Sequence, residues 1–140
     1  MTAWVVDADV ALKWHLQHPD SGRAEEVLRL AGLHAPELQH LEVRNILGKY
    51  VRMGLIGESA ARRSASSHRK MISYWHDDGA LVEPAFEISL RSRHPFYDCL
   101  YLALALRLNG RVVTADKAFV ARFAQGEHAG RVLLLSEFAV

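Results

Sequence analysis

Short apolar strands alternating with segments of helical period predict an α/β fold on a mostly parallel sheet. Three observations point there. Trp4–Val6, Arg111–Thr114 and Val132–Leu135 are brief runs of β-branched and aliphatic residues. The stretches between them repeat their apolar residues at helical spacing. Prolines open and glycines close several of those stretches, the asymmetry expected of helix ends.

Taken in order, the strand Trp4–Val6 leads directly into a helical segment, Ala11–Leu16. Ser21–Ala31 carries Ala24, Val27, Leu28 and Ala31 on one face, with Ser21 suited to the N-cap. Pro36 suits the first turn of a helix that runs through "PELQHLEVRNILGKYVRMG" to Gly54 as C-cap. Glu58–His76 reads as a longer, more polar helix, and a weaker strand falls at Ala80–Val82. Pro84 opens a short helix; Pro95 opens "FYDCLYLALALRLN", which Asn109-Gly110 stops. No linker, repeat or low-complexity stretch divides residues 1–140, so one domain is expected. A chain of this length buries about 68% of its unfolded surface.

The formal net charge of +1 excludes a uniformly basic molecule, so any surface for nucleic acid must be local. The one cysteine, Cys99, forbids an intramolecular disulfide and fits a reducing compartment. Asp7 and Asp9 interrupt any signal-peptide core. The longest apolar run, Cys99–Leu106, falls far short of the ~20 residues that cross a bilayer. A cytoplasmic address with no membrane contact is expected.

The opening stretch "WVVDADVALKW" ends a strand on two carboxylates instead of a neutral turn. A buried ionised carboxylate is costly unless paired. In an open parallel sheet functional groups gather at the carboxyl ends of strands. Asp7 closes the first strand, Asp116 follows "RVVT" by one residue, and Asp98 lies in the first turn of the most apolar helix. Each has a plain structural use as well. Asp7 and Asp116 could cap the helices that follow them, and Asp98 favours its helix dipole. Glu42 shares a helix face with Asn45 at i, i+3. If these acids share one crevice they repel, by about 3 kcal/mol for two charges ~5 Å apart at an effective dielectric near 20. An all-oxygen set then calls for a hard divalent cation, Mg²⁺ or Mn²⁺.

"VVDADVALKW", "APELQHLEVRNIL" and "RHPFYDCLYLALALRLNGRVVTADKAF", in this order and spacing, resemble PIN-domain ribonucleases of the VapC-like toxin branch. The resemblance covers nearly the whole chain and is most specific in its last stretch. It implies a three-layer α/β/α sandwich and a metal site of Asp7, Glu42, Asp98 and Asp116. It also implies Mg²⁺- or Mn²⁺-dependent endonucleolytic cleavage of RNA, a homodimer, and, for a toxin, a small antitoxin lying across the crevice. In that setting Asp7, Asp98 and Asp116 are expected as ligands and Glu42 as ligand or water-orienting base, with Thr114 and Asn45 aiming the carboxylates. Two departures stand out. Asp9 occupies a place where the branch usually carries a small hydroxyl residue; it could join the metal shell or cap Ala11–Leu16. Ala118 stands where some relatives have another acid, which leaves one ion better supported than two.

Two rival readings compete. "VVDADVAL" also resembles the nucleophile loop of haloacid-dehalogenase-type phosphatases, with Asp7 as nucleophile. The later parts of that pattern are missing, since Asp77-Asp78 precedes an apolar run instead of following one. The other rival is a catalytically inactive RNA- or protein-binding module of the same fold. For RNA contacts the candidates are Lys13, Arg44 and Arg93, with His94 beside them. The basic stretch Arg62, Arg63, His68, Arg69 and Lys70 is expected to be a solvated helix face. Eight histidines show no zinc spacing and are expected at the surface. Cys99 is expected as a buried small hydrophobe whose pKa Asp98 raises. Trp14 and Leu16 are candidates for antitoxin contact; core burial is expected for Leu12, Leu28 and Leu47.

Overall fold

The structure, a computed structural model, describes residues 2–30 and 32–138. Twelve elements alternate along the chain: β1 (Trp4–Val6), α1 (Ala8–Ala11), α2 (Ser21–Leu28), β2 (His34–Pro36), α3 (Leu38–Arg52), α4 (Glu58–Met71), β3 (Tyr74–His76), α5 (Val82–Ser92), α6 (Phe96–Arg107), β4 (Arg111–Thr114), α7 (Lys117–Arg122) and β5 (Val132–Leu134). The five strands form one sheet in the order β3-β2-β1-β4-β5, parallel throughout. Val5 registers with Val112 and Val6 with Val113.

Alternation along these strands feeds two apolar layers. Val5, Val112 and Val132 face a layer built from α5, α6 and α7. Val6, Val113 and Ala35 face a layer with Val10, Ala24, Val27 and Phe138. The result is the expected α/β/α sandwich, and strands covered on both sides read as continuous apolar runs. Helix α6 is apolar on every side because Cys99 through Ala105 are all buried between the sheet and α5. No helix among the described residues is long and apolar enough to cross a membrane.

The chain reaches β3 on one side of β1, then crosses to β4 on the other. β1 and β4 are therefore the switch point, where the connections leave the sheet in opposite directions and a crevice opens at the strands' carboxyl ends.

Several boundaries differ from the sequence expectation. Pro36 ends β2 instead of opening a helix, and Glu37 N–H continues the ladder to His76 C=O at 2.8 Å. The polar helix stops at Met71, since Ile72 is extended and "YWH" forms β3. Ala80–Val82 is no strand: Asp78–Leu81 is a 3₁₀ turn that leads into α5, where Pro84 is the third residue. Leu135 opens a 3₁₀ turn after β5. The first helix starts at Ala8 and tightens to 3₁₀ over Leu12–Trp14. Asp20, not Ser21, is the N-cap of α2; Ser21 Oγ donates to Lys13 C=O at 3.0 Å instead. That helix ends at Leu28, and Ala31, assigned to it from the sequence, lies outside the described residues. Gly54 closes α3 with φ of +73°, one residue past the cap at Met53.

Candidate active site

Asp7, Asp9, Thr114 and Asp116 meet where β1 and β4 end. Asp7 is 5% exposed. It caps α1 with Oδ1 accepting from Ala8 N–H at 2.8 Å, and its Oδ2 accepts from Thr114 Oγ1 at 2.8 Å. Asp9 accepts from Ala115 N–H at 3.1 Å, and Thr114 Oγ1 stands 3.2 Å from its Oδ2. Asp116 N–H in turn donates to Thr114 Oγ1 at 3.1 Å. The Thr114 hydroxyl has one proton to give and two lone pairs. Its proton goes to Asp7, the nearer carboxylate, and Asp116 N–H takes one lone pair. Asp9 Oδ2 lies close to the same hydroxyl, so the two carboxylates compete for its one proton.

Two acids arrive from helices. Glu42, half-buried on α3, accepts from Tyr101 Oη at 2.7 Å. Asp98, in the first turn of α6, pairs with His94 Nε2 at 2.7 Å; His94 is itself buried, in the turn that α5 ends on. Asp116 caps α7, accepting from Ala118 N–H at 2.9 Å and Phe119 N–H at 3.3 Å. The capping use and the site use thus coexist in Asp7 and Asp116.

The electrostatics show that these acids share one space. Burial, then Asp9 and Asp98, hold the Asp7 carboxyl well above the usual carboxylate range, with Glu42 adding to it. Burial raises Asp9 too, against hydrogen bonds from Ala115 and Thr114 and the charge of Lys13. Glu42 is raised by burial, then by Asp98 and Asp9, while Tyr101 opposes. Asp98 is raised by burial, with His94 opposing and Asp116 reinforcing. Among the described residues no Lys or Arg forms an ion pair with any of the five. Lys13 and His94 bring some positive charge to Asp9 and Asp98, but the acids outnumber it, so the partly desolvated pocket favours a further positive charge.

Among the described residues no three acidic, histidine or cysteine side chains are already drawn around a point as a finished metal shell. Each of the five carboxylates is engaged with a protein donor instead. The donor set itself is carboxylate oxygen throughout, which fits a hard divalent cation and not a soft one.

The remaining sequence candidates divide. Asn45 is exposed and, among the described residues, makes no hydrogen bond to an acid, so it does not aim the carboxylates. Asp9 does not cap Ala11–Leu16; it belongs to the acidic group. Lys13 Nζ donates to the Asp9 backbone C=O at 3.1 Å. Arg44 and Arg93 are exposed; Arg44 reaches back to His40 C=O, and Arg93 ends α5 with φ of +59°. Asp7, buried and with both oxygens engaged, is poorly presented as a phosphatase nucleophile, and Asp78 is spent on Leu38 N–H. The histidines depart most from expectation. His40, His68 and His94 are buried, and His68 is no part of a solvated basic face. Burial, then His15 and His40, hold its pKa down at about 3. Cys99 is fully buried, its thiol pushed up to about 11 by burial and then by Asp98.

Sequence reasoning passed over Tyr101 and Gln39, although the signal was present. Each lies one helical turn from a site acid, Tyr101 from Asp98 and Gln39 from Glu42, on the inward face.

A family model, PIN domain, matches residues 4–124. The chain belongs to the PIN-domain family. Its relatives put it in that family's VapC-like branch. Ribonuclease VapC3 of Pyrobaculum aerophilum is 29% identical over 85% of this chain and 93% of its own length. Ribonuclease VapC9 of Mycobacterium tuberculosis is 32% identical over 80% of this chain and 84% of its own length. Two solved structures share the fold. A Pyrobaculum aerophilum protein superposes with TM-score 0.69 at 20% identity, covering 96% of this chain and 85% of the other. A chain of a toxin-antitoxin complex from Klebsiella pneumoniae gives TM-score 0.71 at 13% identity, over 97% of this chain and all of that one.

Proposed function

We propose that this chain is a divalent-metal-dependent endoribonuclease and the toxin of a toxin–antitoxin pair. The observation that carries the reading is the group of five acids at the switch point with no Lys or Arg paired to any of them among the described residues. The relatives named as ribonucleases and the neighbour drawn from a toxin-antitoxin complex support it.

Asp7, Asp98 and Asp116 are the residues that would hold Mg²⁺ or Mn²⁺, with Glu42 as a further ligand or as the base that orients the attacking water. When bound, such an ion supplies Lewis-acid stabilisation of charge developing at phosphorus and lowers the pKa of the attacking water. The chain's own part is to aim and to hold protons. Thr114 fixes the Asp7 carboxylate, His94 fixes Asp98, and Tyr101 fixes Glu42. Lys13, Arg44 and Arg93 are proposed to meet the RNA backbone, whose phosphates the acids alone would repel. An antitoxin segment would seat in the hollow of about 170 Å³ beside Asp9, lined by Leu12, Leu16, Ile46 and Tyr50. Trp14 is less available for it, since its Nε1–H donates to Ala24 C=O and its ring packs into the core. A larger hollow of about 310 Å³, between α5 and α7, contains none of the five acids and is not the site. A cytoplasmic, homodimeric protein goes with this reading.

The test is cleavage of a mixed RNA substrate with Mg²⁺ or Mn²⁺, with EDTA, and with Asp7→Asn and Asp98→Asn. Cleavage by the parent alone, lost with EDTA, is expected. Equal cleavage by both variants refutes the reading. Release of phosphate from a small phosphoester, with RNA left intact, would favour the phosphatase instead. A parent showing no Mn²⁺-dependent rise in Tm would be the inactive module.

A further inference from the structure

Three polar side chains with no part in the acid set are completely buried: Gln39, His68 and the phenol of Tyr101. Buried polar groups are costly unless hydrogen-bonded, and these three are bonded to one another and to Glu42. Gln39 sits one turn before Glu42 on α3. Its Nε2 lies 2.7 Å from the Val6 C=O, which only an N–H can satisfy, so its amide orientation is fixed. Gln39 Oε1 therefore faces His68 Nε2 at 2.8 Å as acceptor, and His68 must carry its proton on Nε2. With that proton placed, His68 Nδ1 is an acceptor and takes the Nε2–H of His15 at 3.0 Å. On the other side the second Gln39 N–H points at Tyr101 Oη across a long 3.4 Å, and Tyr101 donates to Glu42 Oε1 at 2.7 Å.

Every donor in this chain points the same way, from His15 through His68, Gln39 and Tyr101 to Glu42. Aligned bonds of this kind polarise one another and strengthen the last one. An amide in the middle makes the chain a poor path for a proton and a good one for fixing geometry. The chain also joins elements distant in sequence: the turn after α1, then α4, α3 and α6.

We propose that Gln39 and His68 are positioning residues that set the orientation of Glu42 through the Tyr101 phenol. The proposal rests on the nuclease reading, in which Glu42 is a ligand or orients water. His68 cannot contact substrate from its buried place, so its effect must pass through the chain.

The experiment compares His68→Leu, which removes the donor, with His68→Gln, whose amide N–H can replace it, both checked for folding by circular dichroism. In metal-free, ¹⁵N-labelled parent protein, imidazole nitrogen shifts are expected to show His68 as the Nε2–H tautomer. Calorimetric titration with Mn²⁺ is expected to show affinity weakened about 10–100-fold in His68→Leu and largely restored in His68→Gln. In RNA cleavage the same loss is expected in kcat, with KM unchanged. An Nδ1–H tautomer at His68, or equal Mn²⁺ affinity and kcat in parent and Leu variant, overturns the proposal. So does equal loss in both variants, which marks a purely structural role. A parent that binds no Mn²⁺ sinks the nuclease reading itself and the proposal with it; a parent that binds Mn²⁺ while the variants match it sinks the proposal alone.

Discussion

Thr114 Oγ1 lies 2.8 Å from Asp7 Oδ2, joining the ends of two neighbouring parallel strands across 107 positions of sequence. The same hydroxyl accepts from Asp116 N–H and stands within reach of Asp9. One buried oxygen thus organises three of the five acids. Thr114→Val keeps the shape and strands those partners, and a loss of about 1–3 kcal/mol is expected in urea unfolding. Thr114→Ser removes only a methyl and should cost about 0.8 kcal/mol. If the Val variant is as stable as the Ser variant, the hydroxyl does not organise the site.

Asp7→Asn should stabilise the metal-free protein while abolishing cleavage. Burial and like charges disfavour the ionised Asp7 carboxyl, and Asn caps a helix as well as Asp. A gain on the order of 1–3 kcal/mol is expected near neutral pH. A lower Tm in the variant would show that the carboxylate is not held against repulsion.

The same repulsion fixes the sign of the pH dependence. Asp7, Asp9, Glu42 and Asp98 all have folded-state pKa values raised above their unfolded ones. Each contributes stability that is fully present below the unfolded value and is lost as pH rises through the folded value. Through these groups metal-free protein should therefore lose stability from about pH 4 upward, and the gap between parent and Asp7→Asn should widen. Saturating Mn²⁺ should flatten the trend. Thermal melts across that range, with and without the ion, provide the check.

His94 tempers the loss of acidity that burial imposes on Asp98. Its hydrogen bond and charge oppose the upward shift that burial imposes on Asp98. His94→Gln, with the opposing charge gone, should move the acid limb of kcat/KM to higher pH and lower the plateau about 10–100-fold. An unmoved acid limb would show that Asp98 does not govern it.

Gly110 immediately precedes β4, where a side chain has no room. A Cβ there would fall 2.2 Å from the Ala3 C=O, the group that accepts Arg111 N–H at 2.9 Å. Gly110→Ala must push β1 and β4 apart, the two strands that carry the site. A loss of about 1–3 kcal/mol or more is expected, with Mn²⁺ affinity falling alongside; denaturant midpoints and titration read both.

Much of this architecture was legible in the chain because the determining forces are local. Runs such as "WVV" and "RVVT" are β-branched on both faces, since both faces are covered, and "FYDCLYLALALR" is apolar all round because it lies at the centre of one layer. The acids at Asp7 and Asp116 were visible for the same reason: a strand end is a fixed place in the fold. Other features depend on neighbours that sequence spacing does not name. "HAP" has little strand character of its own, and ladder bonds to the strands on both sides hold it extended; "YWH" has the aromatic residues of a strand but is too short to announce one directly after a helix.

By itself, then, the sequence determined the alternation of strands and helices and the place of Asp7 and Asp116 just past strand ends, because periodicity and strand-end position are properties of contiguous residues. Only the tertiary structure decided that Asn45 faces solvent while Gln39, one turn from Glu42 on the other side, faces inward, and that three histidines leave the surface. Helix rotation and the pairing of buried polar groups are settled by what packs opposite, and residues brought together from 29 to 107 positions apart carry no mark of it in their local pattern.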